Sequence, residues 1–375
     1  MNKALIITSV ASMVDQFLIS SIVMLRDMGC TVEVACNFET GSTCSKERIE
    51  NLKDRLSSLG VKYYHIDFSR NILRLSKHVR AYKQVKQIIK NGKYDLVHCH
   101  SPIGGLIARL ACRKARKNGL RVIYTAHGFH FYKGAPKKNW LLYYPVEKFC
   151  APMTDVLITI NKEDYAFAQK KLKAGRIEYV PGVGIDVAKF AETQVDVAEK
   201  RREIGVPEDA FLLLSVGELN RNKNHETVIR AVASLQDPHI HYAIAGIGGL
   251  HDYLAELATS LGVGDQIHLL GYRKDVAELY KVADAYAHPS LREGLPVALM
   301  EAMASGLPCI ASRIRGNVDL ITEGVGGYLC APTDAGEYAS AIRALCENPE
   351  AREIMRKNNL EKIQEYDISV VQKEM

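Results

Sequence analysis

Short apolar runs separated by amphipathic stretches of helix length recur along the whole chain. In the first half the runs fall at 4–8, 31–36, 63–66, 96–99, 122–125, 156–160 and 178–180. Such alternation predicts strands of a parallel sheet covered on both faces by helices. The pattern pauses at Pro181-Gly-Val-Gly184-Ile-Asp186 and then restarts, with runs at 211–216, 240–245, 267–270, 285–287, 309–311 and 327–330. At 375 residues the chain exceeds what one core usually organises. The expectation is an α/β protein of two doubly wound units, 1–183 and 184–360, with ligands at the carboxyl ends of the strands and in a cleft between the units.

Two stretches of the first half carry more than sheet-covering pattern. Residues 70–93 predict a helix with Ile72, Leu75, Val79, Tyr82 and Ile89 on its inner side and a stripe of Arg74, Lys77, Arg80, Lys83, Lys86 and Lys90 on the other. Residues 133–148 combine lysines with Trp140 and paired tyrosines, a mixture suited to a membrane interface or, for the aromatics, to the core.

Charge sharpens the division. Residues 1–183 hold 30 Lys and Arg against 14 Asp and Glu, whereas residues 184–375 hold 19 against 29. The basic half points to an anionic partner: nucleic acid, a membrane surface or a phosphorylated acceptor. No nucleic-acid reading motif accompanies it. The longest early apolar run, Phe17 to Leu25, is too short to span a bilayer and contains Ser20 and Ser21. The opening residues read as a strand without a cleavable signal. Nine cysteines without a Cys-x-x-Cys spacing argue against a disulfide framework or zinc site and place the chain in the reducing cytoplasm.

The chemistry-bearing residues cluster at strand ends. Glu293-Gly-Leu-Pro-Val-Ala-Leu-Met-Glu301 sets two carboxylates at a helix opening, with Gly294 free to turn and Pro296 suited to the first helical position. Exposed amides at such an opening favour an anion. Gly217 to Glu226, with Arg221 and Lys223, follows a strand and precedes a helix, where phosphates bind in such folds; it lacks the Gly-Lys-Ser/Thr ending of a nucleotide-hydrolysing loop. Gly246, Gly248 and Gly249 close the next strand, and Gly271-Tyr272-Arg273 the one after. In the first half, His127 stands at a strand's carboxyl end before Gly128. His98 and His100 are expected on opposite faces of a strand end, and His127 and His130 lack a third ligand, so no catalytic metal is expected.

In order and spacing, these motifs resemble glycosyltransferase family 4, retaining enzymes of the GT-B fold with two Rossmann-like domains. The segments 9–15 and 127–131 look most like the branch that builds bacterial capsule and exopolysaccharide. The resemblance implies that Lys223 holds the donor diphosphate, Glu301 the ribose, and Glu293 the donor sugar. It further implies that the backbone of Gly294, Leu295, Pro296 and Val297 cradles sugar and phosphate, that His127 lies beside the reacting sugar, and that Tyr272 and Arg273 frame the base. Glu218 stands where the family usually carries Arg, which leaves Arg221 or Arg273 to supply the second cation. The usual Gly-Gly pair of the first loop is replaced by Ser9 to Val14, and residues 361–375 are expected to cross back to the first domain.

The implied function is metal-independent transfer of a hexose from a nucleotide-diphosphate donor, a uridine diphosphate sugar, to a lipid-linked saccharide. It would take place in the cytoplasm, peripheral to the inner face of an anionic plasma membrane, without a cofactor. Alternatives are a nucleotide-sugar epimerase on the same scaffold, which needs no acceptor, and a non-catalytic two-lobed sugar-binding protein.

Overall fold

A computed structural model describes residues 3–40 and 44–375; Met1 and Asn2 of the expected opening strand lie outside the described residues. Contacts divide the chain into two units, 1–183 with 374–375 and 184–373. Of the expected returning segment, only the last two residues group with the first unit. Residues 363–368 instead pair with the start of the second: Ile185 N–H donates to Tyr366 O at 3.0 Å and Ile368 N–H to Ile185 O at 2.8 Å. Gly184 permits this, since its φ is +72° and a Cβ there would stand 2.6 Å from Ile368 Cα.

The first unit is a parallel sheet of β1 (Lys3–Val10), β2 (Thr31–Asn37), β3 (Lys62–His65), β4 (Leu96–His100), β5 (Arg121–Ala126), β6 (Val156–Thr159) and β7 (Arg176–Tyr179). Their order is β3-β2-β1-β4-β5-β6-β7. Central β1 pairs Ala4 with Val32 on one side and with Leu96 on the other. It is apolar over nearly its whole length because both sheet faces are covered. Leu5, Ile7, Val97 and Cys99 pack with Val85, Ile107 and Tyr124 on one face. Ala4, Ile6, Val32 and Val34 pack with Ile22, Leu52 and Leu56 on the other.

The second unit repeats the plan with β8 (Phe211–Val216), β9 (Ile240–Ala245), β10 (Ile267–Gly271), β11 (Ala285–His288), β12 (Cys309–Ser312) and β13 (Gly327–Cys330). Its order is β10-β9-β8-β11-β12-β13. Each run predicted from the alternation coincides with one of these strands. In each sheet the winding direction reverses at one place, between β1 and β4 and between β8 and β11, which is where open α/β sheets leave a ligand crevice.

Two expectations about helices change. The helix of the basic stripe is Leu75–Gly92, and it buries Ala81, Val85 and Ile89, leaving Ile72, Leu75 and Val79 exposed. Helix Lys137–Cys150 turns Trp140, Tyr143 and Tyr144 inward, where the Trp140 and Tyr144 rings meet Phe131 and Phe167 with centroids 5.5–5.6 Å apart. These rings are partly buried and pack against the core of the first unit, the second of the two roles their composition suits. No helix among the described residues is long and apolar enough to cross a membrane.

Candidate functional site

The loops leaving β8 and β11 are tied together by their backbones. Leu291 N–H donates to Asn222 O at 2.8 Å, and Asn222 Nδ2 donates to Arg292 O at 3.0 Å. Asn224, held at φ +56°, donates through Nδ2 to Pro289 O at 3.0 Å and Pro332 O at 2.7 Å. The Lys223 stem lies over Gly217, where an added Cβ would stand 3.3 Å from Cδ and Cε. Between these anchors Lys223 Nζ reaches Glu293 Oε1 at 2.7 Å. The predicted cation and carboxylate therefore meet at the switch point of the second sheet.

Glu293 has a second partner that the sequence did not single out. His288, the last residue of β11, places Nε2 3.2 Å from the same Oε1, while Ser290 Oγ lies 3.3 Å from that nitrogen and Tyr286 OH 3.4 Å from Nδ1. Burial alone pushes the Glu293 carboxyl up, but the His288 hydrogen bond and the Lys223 charge outweigh it and hold the group well below the ordinary range. His288 is pushed down by burial, with the Glu293 contact opposing. Buried Arg315 donates from Nε to Glu293 O at 3.1 Å. Gly316 packs beneath: at φ +81°, a Cβ there would stand 2.4 Å from Gly294 O.

Glu293 lies in the loop and not in the helix, which runs Val297–Ala304 with Pro296 as its N-cap instead of its first helical residue. No side chain caps this end, so its leading amides lack a capping acceptor, the kind of donors that favour an anion. Pro296 has no N–H, so within 294–297 only Gly294, Leu295 and Val297 can donate from the backbone. Glu301 sits within the helix. Burial pushes its carboxyl up to about 7, against a hydrogen bond from Tyr280 OH at 3.2 Å and the charge of Lys189.

In the first unit, His127 follows β5 and precedes Gly128, whose φ is +104°. Its Nε2 lies 3.0 Å from His100 Nδ1, and burial pushes its pKa down to about 4. His98 and His100 do not face opposite ways: residues two apart on a strand share a face, and their rings stand 4.2 Å apart. Among the described residues no group of three or more His, Cys, Asp or Glu could hold a metal. At the switch point of this sheet Ser9 Oγ and Ser101 Oγ are 2.6 Å apart, Gly104 N–H donates to Ser9 Oγ at 3.1 Å, and Ser101 adopts φ +63°.

Sequence comparison decides the family. The family description "Glycosyl transferases group 1" matches residues 196–362, and "Glycosyltransferase Family 4" matches residues 19–189. The putative glycosyltransferase EpsD of Bacillus subtilis (strain 168) is 41% identical over 278 residues, covering 73% of this chain and 73% of EpsD. The UDP-Gal:alpha-D-GlcNAc-diphosphoundecaprenol alpha-1,3-galactosyltransferase of Escherichia coli is 32% identical over 302 residues, covering 78% and 76%. The chain belongs to glycosyltransferase family 4. It is a hexosyltransferase, which sets aside the epimerase and sugar-receptor alternatives. Among solved structures, Anabaena HepE in complex with UDP-glucose superposes with a TM-score of 0.80 at 20% identity, covering 100% of this chain and 98% of HepE. That likeness shows the GT-B fold.

For a family 4 enzyme with Glu218 in place of the usual Arg, the positions of the other cations matter. Arg273 donates from Nε to Asp275 at 2.8 Å and from NH2 to Glu203 at 2.5 Å, inside a network shared with Lys200. Arg221 is exposed and lines a cavity of about 380 Å³ with His225, Glu226 and Tyr253. Neither donates to Glu293, whereas Arg315 does. Tyr272 projects at 58% exposure after β10. The residues missed from sequence are His288, Tyr280 and Arg315. His288 had the same signal as His127, a histidine at the carboxyl end of a strand; Arg315 had none.

Proposed function

We propose that this hexosyltransferase moves a sugar from a uridine diphosphate donor to a lipid-linked saccharide, with retention of anomeric configuration. The observation that carries the reading is the meeting of Lys223 and Glu293 at the switch point of the second sheet. The names of two similar proteins support the donor and acceptor: the Escherichia coli relative acts from UDP-Gal on a diphosphoundecaprenol-linked sugar, and HepE was solved with UDP-glucose.

In the proposed mechanism Lys223 turns from Glu293 to the donor diphosphate, assisted by the amides of Gly294, Leu295 and Val297. Preorganised positive charge of this kind stabilises a leaving group that gains negative charge in the transition state, without a metal or cofactor. Glu293, released from Lys223 but still held by His288, accepts hydrogen bonds from hydroxyls of the donor sugar. Glu301 accepts from the ribose, Tyr272 lies against the base, and Arg221, in the same loop as Lys223, supplies the second cation, since Arg273 is committed to Asp275 and Glu203. His127 donates to the reacting sugar in its neutral form, which burial favours. The bond from the anomeric carbon to the diphosphate oxygen breaks as the acceptor oxygen bonds to that carbon from the same side. The acceptor proton passes to the departing phosphate. The reaction takes place at the inner face of an anionic membrane, as part of surface polysaccharide assembly.

The test is a donor panel: incubation of the full chain with UDP-, GDP- and ADP-hexoses and a lipid-linked saccharide, reading nucleoside diphosphate release and product anomer. A clear preference for GDP or ADP donors, or an inverted product, overturns the proposal.

A further inference from the structure

Residues 71–80 contain no buried position, although four of them are apolar or begin a helix whose continuation is well packed. Leu73 is 82% exposed, Leu75 71% and Val79 54%, beside half-exposed Ile72. Their presentation is fixed by hydrogen bonds. Asn71 Oδ1 accepts from Leu73 N–H at 2.9 Å, Asn71 O accepts from Arg74 N–H at 3.2 Å, and His78 Nε2 lies 3.1 Å from that same carbonyl. A knuckle of large aliphatic side chains thus stands off the first unit at the start of helix Leu75–Gly92.

Charge around the knuckle is of one sign. Between Asp67 and Asp95 the chain carries eight Lys and Arg and no acidic residue. Asp67 itself receives a hydrogen bond from Gln84 at 2.8 Å and lies 3.9 Å from Arg80. An exposed aliphatic tip in a cationic collar fits one kind of surface, the headgroup and upper acyl region of an anionic bilayer. A second copy of the chain fits poorly, because a two-fold contact through this face would bring the collars together.

We propose that the knuckle Ile72–Leu73–Leu75–Val79, with Arg70, Arg74, Lys77 and Arg80 around it, is the element that docks the first unit onto an anionic lipid bilayer. Its role rests on the proposed lipid-linked acceptor, since docking brings the enzyme to a substrate confined to a membrane. The aliphatic side chains enter the interface while the cations pair with lipid phosphates, so both parts contribute. Neither part is large enough to anchor the protein permanently, and docking is reversible.

Vesicle flotation with the full chain tests this. Vesicles of phosphatidylcholine with phosphatidylglycerol should retain the protein, vesicles of phosphatidylcholine alone should not, and salt at ~1 M should release it. The double variant Leu73→Ser/Leu75→Ser should lower the partition coefficient about tenfold or more, and Arg74→Gln/Lys77→Gln likewise. Protection of each variant by UDP against thermal unfolding should match the wild type, which reports an intact second unit. Failure of UDP to protect even the wild type sinks the donor reading without touching the docking surface. Leu141 and Leu142, exposed on helix Lys137–Cys150, form the competing aliphatic patch. Equal vesicle binding by wild type and Leu73→Ser/Leu75→Ser, loss of binding only in Leu141→Ser/Leu142→Ser, or wild-type dimers that Leu73→Ser/Leu75→Ser dissolves would each overturn the proposal.

Discussion

Glu301 carries a cost that a single substitution should reveal. Its carboxyl is pushed from the ordinary value of 4.5 up to about 7, chiefly by burial. A shift of that size corresponds to ~3 kcal/mol of destabilisation once the group is ionised. The sign follows from which state holds the proton. A carboxyl with a raised folded pKa contributes no penalty below about 4.5, and stability falls as pH rises from there through about 7. Glu301→Gln retains a hydrogen-bonding group for Tyr280 and forfeits only the attraction of Lys189. We expect it to match the wild type near pH 4.5 and to be more stable by about 2 kcal/mol at pH 8. Urea denaturation across that range, monitored on the second unit, measures the difference. The same change should raise the KM for a uridine diphosphate sugar about tenfold, because a charged acceptor for the ribose hydroxyls is replaced by a neutral one. Wild-type and variant stabilities that run parallel from pH 4.5 to 8 would refute the burial argument.

Three further substitutions separate the roles of neighbouring groups. Lys223→Met should lower kcat about 10²- to 10³-fold by removing the cation for the leaving diphosphate; it should also cost about 2 kcal/mol of stability, less than for a fully buried pair because water reaches the lysine, as thermal unfolding would show. Gly316→Ala forces a Cβ to within 2.4 Å of Gly294 O at φ +81°, so the loop beneath the helix start must shift, with a stability loss of about 2 kcal/mol or more and a raised donor KM. Arg273→Gln breaks contacts to Glu203 and Asp275 and should cost about 1 kcal/mol or less while leaving kcat within about threefold; a hundredfold loss would instead make Arg273 the phosphate cation.

The strand pattern was legible because a doubly covered parallel sheet needs nearly continuous apolar strands, and that demand writes itself into short runs such as 4–8 and 211–216. The position of Lys223 and Glu293 was legible for a related reason: each follows a strand at the place where the sheet order reverses, so spacing along the chain maps onto spacing in the crevice. Helix faces were read less well. Leu75 and Val79 have helical spacing with Ile89, yet spacing reports only which residues share a face and not how far along the helix a neighbour extends to cover it. For the aromatics of 140–144 composition left two roles open, and the inward partners Phe131 and Phe167 come from elsewhere in the sequence. The commitments of Arg273 were hidden for the same reason. Arg273 follows a strand end as convincingly as Lys223 does, and only its ion pairs with Glu203 and Asp275, the first contributed from 70 residues away, show where its charge is committed. Arg315 has no motif around it, and it reaches Glu293 O because Gly316 lets the loop after β12 pass under Gly294. A site assembled from strand-end loops is thus readable where one residue's place is set by its own strand, and unreadable where it depends on which neighbour arrives beside it.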